Sequence, residues 1–239
     1  MKRLACRPAA VMLIAGIMLL SAAAYAGEPV SQTRDVSGFD RIEIKGVFDL
    51  YLTQGKDFNL RIEAEQDVLE KIISEVKDGR LILSEKENKI KIGVLRPKTR
   101  KAYITFPELK ELCIKGAADV NGQNAIKAGD FRLIISGAGN VNMTLDATDL
   151  EAMVSGAGDI RLKGAAENTT ISITGAGDIE GFDLSSQKAT VSISGAGDCK
   201  LSVEKELAVN ITGIGNMSYR GNPKMMSKNV TGMGHISKD

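Results

Sequence analysis

A five-residue phrase, Ser/Thr-Gly-x-Gly-Asp/Asn/His, occurs six times in the second half of this 239-residue chain. Its first glycines are Gly137, Gly156, Gly175, Gly195, Gly213 and Gly232. A period of about 19 residues is typical of a solenoid, in which each small unit buries its apolar face only against its neighbours. A weaker copy at residues 115–119 extends the series upstream. Because the phrase recurs in every unit, it indicates a scaffold and argues against a unique active site.

Apolar residues flank every copy at fixed positions. Two residues before the first glycine the side chain is always β-branched and apolar: Ile114, Ile135, Val154, Ile173, Ile193, Ile211 and Val230. Four residues after that glycine another apolar side chain follows, and the positions between alternate as in a strand with one buried face. We therefore predict an all-β solenoid of parallel coils about 4.8 Å apart. Each Gly-x-Gly forms a corner, with its glycines pointing inward.

The segment 36–110 is predicted to be a degenerate part of the same coil. Residues 42–52 repeat the apolar pair, the glycine and the acidic residue of the regular units. The exception is residues 67–76, where five apolar side chains follow helical spacing and Asp67 with Glu70 resembles a capping box. We expect one short helix there, covering an end or a side of the stack. A turn at Asp78-Gly79 should then lead into a strand over residues 80–84.

The first 26 residues have the features of a signal peptide. A basic start is followed by an apolar run at residues 9–20 and by the small-x-small site Ala24-Tyr25-Ala26. Export to the periplasm or the cell surface is therefore predicted, with residues 27–239 as a single domain whose regular coils span 111–239. The remaining chain has 28 Lys and Arg against 30 Asp and Glu, a balance that does not support nucleic-acid binding.

Two cysteines remain after removal of the signal peptide, Cys113 and Cys199. They lie about four coils apart, which exceeds the reach of a disulfide. We expect free thiols, with Cys199 in an inward column and Cys113 on the outward side of its strand. No histidine or second cysteine lies near either one, so we expect no metal or catalytic role.

One column of polar residues is the main candidate site. Asp119, Asn140, Asp159, Asp178, Asp198, Asn216 and His235 take the same place in successive units. Stacking places Asp159, Asp178 and Asp198 about 4.8 Å apart. The scaffold interpretation is that each side chain accepts a hydrogen bond from a backbone N-H at its own corner. The alternative is a row of Ca²⁺ ions between coils, although the phrase differs from the glycine-rich calcium nonapeptide. His235 is expected to be a solvated residue at the end of the stack.

A basic stretch is the second candidate. Arg96, Lys98, Arg100 and Lys101 carry four positive charges with no acidic residue between them. They form either a solvated loop or a docking site for an anionic polymer such as lipopolysaccharide or an acidic glycan. The repeated serines have no neighbouring base, so we predict no catalytic residue and no cofactor. The scarcity of aromatic residues argues against a sugar-stacking platform.

Three further segments carry a resemblance to a known family. Residues 36–42, residues 65–83 and residues 219–223, together with the Gly-x-Gly-Asp units, resemble the bacterial putative auto-transporter adhesin family, head GIN domain. The resemblance implies a right-handed parallel β-helix in the bacterial envelope. It brings no established catalytic or ligand-binding residue with it.

These observations predict a non-catalytic, exported module with a structural or adhesive role. Its partner would be an envelope or surface component, either protein or glycan, and we expect neither nucleic-acid binding nor an integral membrane protein. The alternative is a β-helix lyase or hydrolase acting on a carbohydrate polymer. That function would need a cleft of non-repeated acidic residues, and none is visible in the sequence.

Overall fold

The computed structural model describes residues 28–86 and 100–239. The predicted signal peptide lies outside these ranges. The first part of the fold contains β1 (Val30–Arg34), β2 (Arg41–Ile44), β3 (Val47–Gln54), β4 (Asn59–Ala64), α1 (Gln66–Leu69), β5 (Ile72–Lys77), β6 (Arg80–Glu85), β7 (Arg100–Phe106), β8 (Glu111–Ile114) and β9 (Ala117–Gly122). The regular part contains β10 (Ile126–Ile135), β11 (Val141–Val154), β12 (Ile160–Ile173), β13 (Ile179–Ile193), β14 (Cys199–Ile211), β15 (Met217–Arg220), β16 (Met225–Val230) and β17 (Ile236–Lys238).

The regular strands form a β-solenoid, as the repeat predicted. Strands β10 to β14 pair in parallel, each with the next along the chain. Each long strand has two buried segments, separated where the alternation of inward and outward residues breaks. We call the segment after a Gly-x-Gly corner face 1 and the segment before the next corner face 2. Strands β15 and β17 complete face 1 at the C-terminal end, and β16 completes face 2.

The interior consists of aligned apolar columns. The clearest column runs along face 2, where Ile135, Val154, Ile173, Ile193 and Ile211 are partners in successive coils. All five are 0 to 1% exposed. The prediction that these β-branched residues align is confirmed. Burial of a side chain of this size contributes about 1.5–3 kcal/mol to folding, so the columns are the main source of stability.

The glycines are required by the neighbouring coil. A Cβ placed on Gly175 would lie 2.0 Å from the carbonyl oxygen of Gly156, and one on Gly158 would lie 1.9 Å from that of Gly139. The sequence predicted that these glycines form a corner and point inward. The structure shows that the missing side chain would point along the stack, into the backbone of the preceding coil.

The N-terminal coils do not follow the order of the chain. Strands β2 and β3 pair in parallel with β8 and β9 on one side, and with β6 and β7 on the other. The coil formed by β2 and β3 is therefore enclosed between two coils that come later in the sequence. Residues 42–52 do form a coil, as predicted, but it is the second in the stack.

Antiparallel strands cover the N-terminal end. Strand β4 pairs antiparallel with β7, β1 with β4, and β5 with β6. The turn between β5 and β6 is at Asp78 and Gly79, which have φ of 50° and 72°. This left-handed pair matches the predicted hairpin turn, and β6 includes the predicted strand at residues 80–84.

The helix predicted for residues 67–76 is much shorter in the structure. It spans Gln66–Leu69, its N-cap residue Glu65 makes no side-chain cap hydrogen bond, and the chain continues as β5. The helical spacing is misleading because one turn of helix buries Val68 and Leu69, and a strand then buries Ile72. Pairing of β5 with β6 outweighs the local helical preference.

A charge cluster around the buried Glu43 joins the first coils. Glu43 is 5% exposed and lies 3.0 Å from Lys45 Nζ, 3.1 Å from Lys115 Nζ and 3.3 Å from Arg80 Nη1. Burial alone would raise the pKa of Glu43, but the hydrogen bonds from Lys45 and Lys115 outweigh it and hold the pKa below its usual value. The cluster links three coils that are distant in sequence.

Substitution of Gly175 by alanine tests the requirement for close backbone approach. We expect Gly175→Ala to destabilise the fold by more than about 3 kcal/mol, because the backbones of two coils would have to separate. Ala176→Gly at the next, exposed position is the matched control and should cost less than about 1 kcal/mol. Urea denaturation of both variants measures the difference. Equal midpoints for the two variants would contradict the packing described here.

Candidate functional site

The polar column is in register through the stack, as predicted. Its neighbouring residues Val120, Val141, Ile160, Ile179, Cys199, Met217 and Ile236 are partners in successive coils. We call Asp119, Asn140, Asp159, Asp178, Asp198, Asn216 and His235 the polar ladder. The ladder also continues upstream, because Asp49 in β3 is the partner of Asp119.

Hydrogen bonds connect each ladder residue to the next coil. The backbone N-H of Asp178 donates to Asp159 Oδ1 at 3.3 Å, and that of Asp198 donates to Asp178 Oδ1 at 2.8 Å. Asn216 donates to Asp198 Oδ1 from both its backbone N-H, at 2.8 Å, and its side-chain Nδ2, at 2.9 Å. Corresponding bonds connect Asp119 to Asn140 and Asn140 to Asp159.

The ladder therefore has a structural role that differs from the expected one in a single respect. The N-H group that each side chain satisfies belongs to the next coil and not to its own corner. A carboxylate and a side-chain amide each supply the necessary oxygen, which explains why Asp and Asn alternate freely. Like charges about 4.8 Å apart repel one another by about 1 kcal/mol in water. Each N-H donor offsets part of that repulsion.

His235 marks the end of the ladder. Its backbone N-H donates to Asn216 Oδ1 at 3.1 Å, and its own side chain is exposed. Within the described residues no later coil presents an N-H above it. The last position therefore needs no side-chain acceptor, which explains why a histidine is tolerated there.

The calcium hypothesis needs oxygen ligands that converge on one point. The ladder oxygens are spaced along the stack, and one Oδ1 of each of Asp159, Asp178 and Asp198 accepts a backbone hydrogen bond. Residues 28–86 and 100–239 contain no group of three or more His, Cys, Asp or Glu side chains arranged to hold a metal ion. The geometry thus favours the scaffold role, while the calcium alternative stays a hypothesis.

A lateral groove runs along the bend between face 1 and face 2. One part, about 470 Å³ in volume, extends from Arg41 and Lys110 to Asn168 and Thr170. A second part, about 380 Å³, begins at the same Asn168 and Thr170 and reaches Ser227. We call this continuous, open feature the lateral groove.

Charged side chains of neighbouring coils pair along the groove. Arg132 Nε lies 2.6 Å from Glu151 Oε2, and Lys188 Nζ lies 2.9 Å from Glu206 Oε1. Asn168 Nδ2 donates to Asp149 Oδ1 at 2.9 Å. The groove therefore offers alternating positive, negative and neutral polar groups.

Sequence reasoning missed this groove, although a signal was present. The inward pattern breaks where two consecutive residues face outward, for example Thr148 and Asp149 between the buried Ala147 and Leu150. That break recurs in each regular coil and ends at the same distance before the first glycine of the following corner. It could have been identified as a second corner lined with non-repeated polar residues.

The basic stretch is described only in part. Arg96 and Lys98 lie outside the described residues. Arg100 begins β7, where its Nε lies 2.7 Å from Glu85 Oε1, and Lys101 is the partner of Asp49. Docking of an anionic polymer to these four residues stays a prediction.

Both remaining cysteines are free and buried. Cys199 follows Ile179 in the inward column of face 1, as expected. Cys113 points away from that interior, beside Glu43 in the charge cluster. Burial raises the pKa of both thiols above the usual value, so neither thiol is activated as a nucleophile.

A pair of stacked tyrosines lies on the outer surface of face 1. The rings of Tyr51 and Tyr103 are 4.7 Å apart and nearly parallel, and the Arg61 guanidinium lies 3.9 Å from the Tyr103 ring centroid. One face of Tyr103 is therefore occupied by Tyr51 and the other by Arg61. This stacking explains the position of the rings as cross-strand packing.

Comparison with protein families identifies the chain. The model of the family described as putative auto-transporter adhesin, head GIN domain, matches residues 38–223. The chain belongs to this family. The match includes the N-terminal coils, the polar ladder except His235, and most of the lateral groove. A search of curated proteins found no match.

Solved structures share the fold over nearly the whole chain. A putative adhesin from Bacteroides fragilis is 27% identical, with a TM-score of 0.84, and the alignment covers 89% of this chain and 97% of the other. A putative adhesin from Parabacteroides merdae is 21% identical, with a TM-score of 0.68 and coverages of 90% and 97%. A protein from Parabacteroides distasonis described as a putative lipid binding protein is 23% identical, with a TM-score of 0.67 and coverages of 90% and 98%. The latter two support the fold alone.

The described residues include no helix of the length and apolar character needed to cross a membrane. The resemblance noted in the sequence is thus confirmed for the family and for the β-solenoid fold. Two of the three structures named above are described as putative adhesins and the third as a putative lipid binding protein.

Substitutions in the polar ladder test its hydrogen-bonding role. We expect Asp178→Ala to lower the free energy of unfolding by about 1 kcal/mol, because the N-H of Asp198 loses its acceptor. Asp178→Asn keeps an oxygen and should be close to neutral. His235→Ala is the matched control at the end of the ladder and should also be close to neutral. Thermal or urea denaturation measures all three.

Melting temperatures of the unaltered protein distinguish the scaffold hypothesis from the calcium hypothesis. If the ladder is scaffold alone, melting temperatures in EDTA, millimolar Ca²⁺ and millimolar Mg²⁺ will agree. A large rise with Ca²⁺ that Mg²⁺ does not reproduce, and that Asp178→Asn reduces, would contradict the scaffold interpretation.

Proposed function

We propose that this chain is an exported, non-catalytic interaction module of the bacterial envelope. It acts as a rigid rod that binds an extended polymer, glycan or polypeptide, along its side. Family membership and the solenoid fold support an adhesive or structural role. Export, the absence of catalysis and the identity of the binding surface go beyond family and fold, and we infer them here.

Rigidity follows from the backbone. Every internal regular coil is hydrogen-bonded to the coils on both sides, through the faces and through the corners. Outward side chains consequently stand at fixed intervals of about 4.8 Å along the rod. Such an array binds a partner with little loss of conformational entropy on the protein side.

The lateral groove is the single observation that carries the proposal. It crosses the stack from the coil of Arg41 to that of Ser227, which spans about 34 Å at the usual strand spacing. Its walls offer Arg, Glu, Asn and Thr side chains in succession. A straight polymer lying in the groove would meet new hydrogen-bonding groups in each coil. An open groove of this shape suits a long ligand better than a compact small molecule.

The alternative, a polysaccharide lyase or hydrolase, finds its best position in the same groove. Asp149 and Glu151 would be the acidic candidates. However, Glu151 is paired with Arg132, and Asp149 accepts a hydrogen bond from Asn168. Binding without turnover is therefore the better-supported function.

A panel of purified surface polysaccharides, including lipopolysaccharide and an acidic exopolysaccharide, tests the proposal. We expect saturable binding by the processed protein. Binding should weaken at least about tenfold in Arg132→Glu with Asn168→Leu, because the groove loses a cation and a hydrogen-bonding amide. Arg161→Glu, on the outer surface of face 1, is the control and should bind like the unaltered protein. Isothermal titration calorimetry provides the affinities.

Two results would contradict the proposal. Release of reducing ends or unsaturated products from any of these polymers would establish an enzyme. Equal loss of binding in the groove variant and in the face 1 control would remove the groove as the binding surface. Export is tested separately by N-terminal sequencing of the protein from the periplasmic or extracellular fraction. The sequence obtained should begin at Gly27.

A further inference from the structure

Exposed large apolar side chains are concentrated at the two ends of the rod. The described residues include eight of them: Val30, Val47, Val76, Ile214, Met225, Met226, Val230 and Met233. Val30 and Val76 lie in the outermost N-terminal strands, β1 and β5. Five others lie in the last coil or in the corner before it. Only Val47 lies on the side of the stack. Clusters of this kind mark interaction surfaces.

The C-terminal end is an uncovered coil. Strand β16 pairs only with β14 and β17 only with β15, so one backbone edge of each is free within the described residues. Met226 and Val230 are the partners of Leu207 and Ile211 in the inward columns. Leu207 and Ile211 are fully buried, whereas Met226 and Val230 are 39% and 41% exposed. Across residues 28–86 and 100–239, no further coil covers this surface.

The N-terminal end also presents free strand edges. Among the strands that the structure describes, β1 pairs only with β4, and β5 only with β6. Because β1 is antiparallel to β4 and β4 is antiparallel to β7, β1 runs in the same direction as all strands of face 1. It is therefore oriented to pair in parallel with a strand like β17. Strand β5 runs against face 2 and would meet a strand like β16 in the antiparallel sense.

The described elements at the two ends carry opposite charges. Residues 217–239 contain four basic residues and one acidic residue, a formal charge of +3. At the other end, residues 28–35 and 65–77 contain six acidic residues and three basic ones, a formal charge of −3. Electrostatic complementarity of this kind directs association and disfavours contact between like ends.

From these observations we propose that the rod stacks head to tail on further copies of itself. The open coil of one copy contacts β1 and β5 of the next. Each interface pairs four strand edges that are otherwise free, covers the exposed methionines and joins opposite charges. Because such a contact is heterologous, it adds copies in an open series and does not stop at a dimer. Two C-terminal ends meeting each other would bring like charges together.

Charge reversal at each end tests this geometry in the processed, full chain. Analytical ultracentrifugation should show concentration-dependent species beyond the dimer for the unaltered protein. Lys224→Glu with Lys238→Glu reverses the C-terminal end, and Glu70→Lys with Glu75→Lys reverses the N-terminal end. Each pair should raise the apparent dissociation constant at least about tenfold. Combining the four substitutions, or mixing the two reversed proteins, should restore association.

Glu167→Lys with Lys127→Glu, on the side of the rod, is the matched control and should leave association unchanged. Four outcomes would overturn the proposal: a protein that stays monomeric at millimolar concentration, a series that ends at the dimer, an unaffected N-terminal variant, or failure of the four substitutions to restore association. Binding to anionic phosphatidylglycerol vesicles by a monomer would instead assign the C-terminal end to a membrane surface. Circular dichroism of each variant verifies that the fold is retained.

Discussion

The structure depends on the close contact between the backbones of successive coils. At each corner the chain passes so near the preceding coil that a single methyl group on Gly137, Gly156 or Gly175 would overlap a carbonyl oxygen. This approach aligns the hydrogen bonds of both faces and fixes the register of the coils. The apolar columns follow from that register, because identical positions are brought into line and share one interior. The polar ladder follows as well, since its side chains reach the N-H groups of the next coil.

A stack held together in this way has two special positions, namely its ends. Every internal coil finds the same partner on both sides, whereas an end coil does not. The N-terminal end is covered by strands that reverse direction and by one turn of helix. The C-terminal end has no comparable cover among the described residues, and its inward Met226 and Val230 are partly exposed. The sides of the rod and its ends thus have different chemistry, and the two proposals assign them different partners.

The regular coils could be predicted from the sequence because their information is local and repeated. The alternation of inward and outward positions was enough to predict that Ile135, Val154, Ile173 and Ile193 form a buried column. The order of the N-terminal coils could not be predicted, since pairing of β2 with β6 and β8 depends on contacts between distant segments.

The prediction of a helix over residues 67–76 was wrong because a helical turn followed by a strand buries side chains at nearly the spacing of one helix. For the ladder, the repeat pattern is the same whether a side-chain acceptor serves the N-H of its own coil or of the next. The lateral groove was missed because a break in alternation was not treated as a corner.

Engineered disulfides provide the most direct test of the stacking. Ala157 and Ala176 are bridge partners in adjacent coils, whereas Ala138 and Ala176 lie two coils apart. In a background with Cys113 and Cys199 replaced by alanine, Ala157→Cys with Ala176→Cys should oxidise readily to an intramolecular disulfide, because the Cα atoms are about 4.8 Å apart. Ala138→Cys with Ala176→Cys should not, because two coil spacings exceed disulfide reach. Equal cross-linking of the two pairs, or cross-linking of the second pair alone, would contradict the coil-on-coil register.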